Sequence, residues 1–154
     1  MDVALKEWDT VVRLLAEGRC RHLLRKGGID DAGGVFRLRH DRFLLWPTFV
    51  HQRGEMLQPW ATEWFRPDEE PADVHITAAA EVETIEIVRD REQLEAMGEA
   101  LPWNGAYLDM RFGYKPDKPL YLLTLRAWKL DEPLVFENTP ARAGCVSWVD
   151  DLRS

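Results

Sequence analysis

The chain has 154 residues, of which 45% are apolar and 31% are charged, and its net charge at neutral pH is −7. This length fits one domain with a real hydrophobic core, and the composition excludes disordered and low-complexity classes. The negative charge argues against broad nonspecific contact with a nucleic-acid backbone. A local basic patch remains open, because positive residues concentrate between Arg13 and Arg53.

The sequence also limits the compartment and the metal chemistry. No run approaches the roughly 18 apolar residues of a membrane span, and no signal peptide is visible. The two cysteines, Cys20 and Cys145, lie far apart, which favours a reduced cytoplasmic protein. Together with the four histidines they lack the ligand-pair spacing of a zinc site, so no metal-ligating residues are assigned and metal dependence stays open. The cofactor and the oligomeric state stay open.

The first segment, residues 2–17, has the periodicity of an amphipathic helix. Its apolar face is formed at three- and four-residue spacing by Leu5, Trp8, Val12 and Leu15. Glu7 falls off this face and is expected in solvent, unless it points into a cleft beside Arg25.

The stretch from Gly18 to Gln52 reads as short apolar strands separated by glycine turns. Its first strand, residues 20–25, leads into Arg25, Lys26, Gly27 and Gly28. Two cations beside free backbone amides could hold an anion. The alternative is a hairpin turn with solvated basic side chains.

A continuous apolar run, residues 43–46, is ended by Pro47 and predicts a strand that is buried on both faces. Thr48, His51 and Gln52 follow it directly. Polar groups just past a buried strand are common site positions, since the strand holds them rigidly. A structural, hydrogen-bonding histidine is the alternative for His51.

Residues 74–88 form the clearest β pattern of the chain. Apolar side chains alternate up to Val82, and the apolar phase then shifts to Ile85 and Ile87. A shift of one residue inside a strand predicts a β-bulge near Glu83 and Thr84. Between this strand and the preceding one, residues 60–65 predict about one helical turn and residues 67–71 predict a loop.

The last third predicts two short helices and a second long strand. Asp90 begins the first helix, and residues 103–112, which include Arg111, form the second. In the long strand 120–130, Arg126 shares a face with apolar residues, so it is expected to contact a carboxylate or a ligand anion. The alternative is a structural arginine that is paired within the protein or faces the edge of the sheet. Cys145 is predicted to be a small core hydrophobe, because no histidine lies near it in sequence to act as a base.

Several segments recur in the order found in one known family. These are KEW, LLRKGGI, FLLWPTFVHQ, MRFGY with LYLLTLRAWKL, and GCVSWV. In them the chain resembles the family catalogued as domain of unknown function 1802 over nearly its whole length, which implies little about function. Members tend to carry a His-Trp pair where this chain has Leu101, Pro102 and Trp103, and this departure weakens any role that needs that histidine.

The order of elements, with Gly18-Arg19 and Leu24-Arg25, is also similar to the small barrels of the PUA and ASCH type. This second resemblance implies a barrel cleft that binds RNA or modified bases.

We therefore predict one α+β domain over residues 1–154. It has a curved, mixed or mainly antiparallel sheet, possible closure into a PUA-like barrel, an N-terminal helix and short helices at the end of the sheet. The expected function is a binding module for a nucleotide, a modified base or a nucleic-acid end, through a basic and aromatic-lined cleft. The alternative is a hydrolase for a phosphate-containing or nucleic-acid substrate, with His51 as acid or base. The expected ligand-binding residues are Arg25, Lys26, His51, Gln52, Arg111 and Arg126.

Overall fold

The computed structural model describes residues 1–27, 29–33, 35–144 and 146–152. The strands in these ranges are β1 (Ala4–Trp8), β2 (His22–Lys26), β3 (Ile29–Ala32), β4 (Val35–Leu38), β5 (Arg42–Thr48), β6 (Asp73–Val88), β7 (Leu120–Glu137) and β8 (Trp148–Val149). The α-helices are α1 (Asp9–Ala16), α2 (Arg91–Glu95), α3 (Gly105–Gly113) and α4 (Pro140–Ala143). Three short 3₁₀ segments are Gly54–Met56, Pro59–Trp64 and Gly98–Ala100.

Six strands form one mixed sheet in the order β2-β7-β6-β5-β1-β8, and β3 pairs with β4 as a separate hairpin. β1 runs parallel to β5, while the other pairs in the large sheet are antiparallel. This arrangement confirms the predicted α+β class and the mixed sheet.

The large sheet is not closed into a barrel. β2 at one edge and β8 at the other do not pair with each other in the part of the chain that the structure describes. The PUA-like barrel is therefore not confirmed. β8 contributes only Trp148 and Val149, so this edge offers too few backbone groups to complete a barrel seam.

The predicted helix over residues 2–17 is wrong in its first half, because Ala4–Trp8 is a strand and the helix begins only at Asp9. The strand lies between β5 and β8, so it has sheet neighbours on both sides. A short apolar segment fits helical and strand periodicity equally well, and tertiary pairing decides between them. Leu5 and Trp8 are nonetheless buried, as predicted.

The predicted bulge in β6 is confirmed. Val82 pairs with Leu125 and Thr84 pairs with Thr124, so Glu83 is the extra residue between two consecutive partners on β7. A bulge bends its strand and increases the local twist. The last residues of β6 and the first of β7 therefore curve away from the plane of the sheet centre.

β5 is buried on both faces, as the sequence predicted. Phe43 and Leu45 lie in the main core beneath α1 and α3, whereas Leu44 and Trp46 lie in a smaller core on the other face. Trp46 stacks on Phe136, with ring centroids 6.3 Å apart. The strand thus separates two hydrophobic clusters, and a polar residue anywhere in 43–46 would be buried in one of them.

Leu45→Ala tests this position, since Leu45 is fully buried. We expect the free energy of unfolding to fall by about 2–5 kcal/mol, through lost burial and the cavity left behind. Urea denaturation measures it. Leu134→Ala is the matched control, because Leu134 is 42% exposed and its truncation should change stability much less. Equal losses in the two variants would contradict the assignment of Leu45 to the core.

Cys20 lies in the main core, and burial raises the pKa of its thiol to about 12. Only the thiolate reacts rapidly with alkylating agents. We therefore expect folded protein carrying Cys145→Ser to resist iodoacetamide at mildly alkaline pH and to be labelled quickly in urea. Mass spectrometry gives both rates, and equally fast labelling of the folded protein would contradict the burial of Cys20. Cys145 itself lies outside the described residues, so its predicted core role stays a prediction.

Candidate functional site

An ion pair between Glu7 and Arg25 joins strands from different parts of the sheet. The Arg25 Nη2 atom lies 2.6 Å from Glu7 Oε2 and donates a second hydrogen bond of 2.7 Å to the carbonyl of Lys6. The side chains of Glu7 and Arg25 are only 4% and 17% exposed. Arg25 therefore lies in the interior. Glu7 also lies there rather than in solvent, beside Arg25, which is the alternative position that the sequence analysis gave for it.

Tyr107, on α3, is completely enclosed beside this ion pair. Its ring stacks on Trp103 at a centroid distance of 4.8 Å and meets Trp8 edge-on at 5.4 Å. Burial raises the pKa of the Tyr107 phenol, and the charge of Glu7 raises it further, while Arg111 and Arg25 oppose the shift. These mutual effects place one carboxylate, two guanidinium groups and one neutral phenol in a single cluster.

Arg111 lies one helical turn after Tyr107. Its Nε donates to the Tyr107 hydroxyl at 2.9 Å, and its guanidinium lies 5.2 Å from the centre of the same ring. Burial acts to lower the pKa of Arg111, but Tyr107 and Glu7 outweigh it, so the pKa lies above its usual value. Arg111 thus remains charged in a half-buried position.

Lys26, the last residue of β2, closes the end of α3. Its Nζ donates to the carbonyls of Arg111 and Phe112 at 3.1 and 3.2 Å. Cations are favoured at helix C-termini, where carbonyls lack partners within the helix. The next residue, Gly27, has a φ of +77° and lies against the Lys118 side chain, so a glycine suits this turn.

The surface at the end of α3 is rich in cations. We call it the Lys26–Arg111 edge and define it by Lys26, Arg111, Tyr114, Lys115 and Lys118. Tyr114 is 50% exposed, and Lys115 Nζ lies 5.2 Å from its ring centre. Lys26, Arg111, Lys115 and Lys118 form no ion pair with another described residue.

Gln52 has a structural contact that accounts for its position. Its Oε1 accepts hydrogen bonds from the backbone N–H and the hydroxyl of Thr10 at 2.8 and 2.7 Å. Gln52 therefore caps the start of α1, because the side chain of Trp8 at the N-cap position has no oxygen that could accept such a bond. His51 precedes it and is exposed. Thr48 donates to the Glu7 carbonyl, so the segment holding His51 is anchored beside β1 and α1.

Arg126 lies apart from these groups. Its Nε donates to Glu81 at 2.7 Å and its guanidinium covers Trp128, which packs against the smaller core. The side chain is 60% exposed. The structure thus brings together Arg25, Lys26 and Arg111, anchors Gln52 and the segment of His51 near Glu7, and leaves Arg126 in a separate pair.

Two open cavities among the described residues are lined by other side chains. One of about 490 Å³ lies between α1, the Pro59–Trp64 turn and the bend of β7, and includes Arg13, Trp64 and Lys129. The other, of about 380 Å³, includes Gln58, Arg91 and Trp103. None of the predicted ligand-binding residues lines either of these two cavities.

Sequence reasoning missed Tyr107 and Tyr114 as members of this region. The spacing from Tyr107 to Arg111 is four residues, which places both on one side of a helix and was the available signal. Nothing in the sequence marks the electrostatic influence of Glu7 on Arg111, because the two residues are far apart along the chain. Within the described ranges, no group of three or more histidine, cysteine or acidic side chains could hold a metal ion.

The Glu7→Ala variant tests the dependence of the fold on the ion pair. Removing the carboxylate leaves the buried guanidinium of Arg25 without its counter-charge, so we expect a loss of about 3–5 kcal/mol in the free energy of unfolding. Glu81→Ala is the matched control, because it breaks the exposed pair with Arg126 and should leave the urea midpoint close to wild type. Equal midpoints for both variants would contradict a structural role of the Glu7–Arg25 pair.

Comparison with known proteins gives a family and nothing narrower. The curated proteins contain no match to the chain. No helix in the described part of the chain is long and apolar enough to cross a membrane. A family model described as domain of unknown function (DUF1802) matches residues 4–153, almost the full length, and the chain therefore belongs to the DUF1802 family.

Proposed function

We propose that this protein is a binding module for a phosphate-bearing ligand of the nucleotide or nucleic-acid class, held at the Lys26–Arg111 edge. The observation that carries the proposal is the half-buried Arg111 guanidinium, which has a phenol but no carboxylate as a partner among the described residues. A charge removed from water needs a counter-charge.

The charge balance around Arg111 favours an anion. Glu7 is the buried carboxylate of the cluster, and Arg25 already binds it at 2.6 Å. Arg111 and Lys26 then add two positive charges, and Lys115 and Lys118 add two more in the segment 114–118, where Asp117 is the one acid. A phosphate group would neutralise this excess, and the planar guanidinium fork matches phosphate oxygens.

Tyr114 supports the choice of a nucleotide over a simple anion. Its ring is half exposed and lies close enough to Arg111 to affect the pKa of that residue. An exposed aromatic face beside a cation is the combination on which bases stack, and such stacking is worth about 1–3 kcal/mol per base. The ligand class includes a nucleotide, a modified base or a nucleic-acid end.

The module is proposed to act in the cytoplasm, on the basis of its two widely separated cysteines. The hydrolase alternative, with His51 as acid or base, stays a prediction. An acid–base catalyst needs a partner within hydrogen-bond reach. Among the described residues, no contact of His51 supplies such a partner, so binding is favoured over hydrolysis.

Binding of ADP and of a 5′-phosphorylated single-stranded hexanucleotide tests the proposal. Arg111→Gln should weaken binding of the better probe about tenfold or more, because it removes a charge-assisted hydrogen bond. Lys26→Gln should also weaken binding, and wild-type affinity should fall as salt rises between about 50 and 200 mM. Isothermal titration and fluorescence anisotropy measure these affinities, and thermal unfolding verifies that each variant is folded.

Arg126→Gln is the matched control, since it removes the same charge from an exposed arginine that already pairs with Glu81. It should retain wild-type affinity. The proposal is wrong if neither probe binds the wild type, or if Arg111→Gln and Arg126→Gln bind alike while both are folded.

A further inference from the structure

The turn that follows β5 directs two successive backbone amides at one oxygen atom. Phe49 N–H and Val50 N–H both donate to Oε1 of Glu70, at 2.7 and 2.9 Å. Consecutive amides that converge in this way form a concave site for anions. The turn is closed by a hydrogen bond from Gln52 N–H to the Phe49 carbonyl, so its shape does not depend on Glu70 alone.

Glu70 is held by this turn without a side-chain cation. Among the described residues no lysine, arginine or histidine forms an ion pair with it, although the chain has 20 lysines and arginines. The neighbouring acids of the same loop, Asp68 and Glu69, remain exposed, whereas Glu70 is half-buried. The backbone amides are therefore sufficient to select and hold a carboxylate.

A short chain segment connects Glu70 to a fixed point of the fold. Gln52 Nε2 donates to the Arg66 carbonyl at 3.2 Å, which fixes the chain just before the loop of residues 67–71. Only three residues, 67–69, separate this anchor from Glu70. A group on so short a tether competes with free ligands at an effective concentration of roughly millimolar.

We propose that the Phe49–Val50 turn is an oxyanion-binding site and that the Glu70 carboxylate occupies it as an internal competitor. A ligand carrying a phosphate or carboxylate group takes the place of Glu70, and the loop of residues 67–71 then swings away from the turn. In this proposal the imidazole of His51, which follows Val50 and is exposed, donates a third hydrogen bond to the incoming group. This site is separate from the Lys26–Arg111 edge and does not require the function proposed there.

Titration with inorganic phosphate and with acetate, followed by ¹⁵N NMR at constant ionic strength, tests this site. In Glu70→Ala the competitor is absent, so the better anion should perturb the Phe49 and Val50 amides with an apparent Kd about tenfold lower than in the wild type. The two anions distinguish phosphate from carboxylate recognition, and tighter binding of either supports the site. Glu69→Ala removes an exposed neighbouring carboxylate and should behave as the wild type.

Glu70→Gln is the second variant, because it removes the charge but keeps an acceptor that can hold the turn. If the Phe49 and Val50 amides lose their native positions in Glu70→Ala, the same titration is carried out with Glu70→Gln. The inference then predicts a lower apparent Kd for Glu70→Gln than for the wild type. The inference is overturned if neither anion perturbs these amides in the folded variants, or if Glu70→Ala and Glu69→Ala respond alike. Arg111→Gln should leave this titration unchanged, so the result separates this site from the Lys26–Arg111 edge.

Discussion

The Glu7–Arg25 ion pair is the interaction on which the arrangement of this sheet depends most. β2 is the edge strand on one side, and β1 is the penultimate strand on the other, so three strands separate them in the hydrogen-bonding order. Arg25 nevertheless reaches the carboxylate of Glu7 and the carbonyl of Lys6. The sheet can do this because it coils: the bulge at Glu83 bends β6, and β7 and β2 follow that bend back towards β1.

A buried ion pair is not in itself a strong source of stability, because both ions lose their hydration. Its value here is specificity, since a guanidinium and a carboxylate satisfy each other only at one separation of β1 and β2. The main core supplies the stability. Leu5, Leu23 and Leu45 come from three of its strands, and all are essentially excluded from water.

The two anion-binding sites proposed above use different chemistry. The Lys26–Arg111 edge has side-chain cations in excess over carboxylates, so a ligand would bind through charge and its affinity would depend strongly on salt. The Phe49–Val50 turn uses backbone amides, and an internal carboxylate already occupies it. In these proposals a ligand of the first site supplies a missing counter-charge, and a ligand of the second site must displace Glu70.

Local pattern by itself determined β5, the bulge in β6 and much of the core. The run 43–46 was recognisable as a doubly buried strand because all its residues are apolar, and the phase change after Val82 located the bulge because strand side chains alternate with a period of two. The segments 2–8 and 120–137 show where local pattern fails: a five-residue strand was read as helix, and β7 continues through Pro133, seven residues past its predicted end. In both places pairing with a neighbour far away in sequence decides the structure.

The site depended still more on tertiary structure. Residue type and turn position singled out Arg25, Lys26, His51, Gln52, Arg111 and Arg126, but not what each one contacts. Only the folded chain shows that Gln52 caps α1, that Arg126 pairs with Glu81, and that Arg25 is enclosed with Glu7 while Arg111 has no acidic partner among the described residues. The physical reason is that a charged side chain becomes structural or available according to its nearest counter-charge, and that neighbour can lie anywhere along the chain.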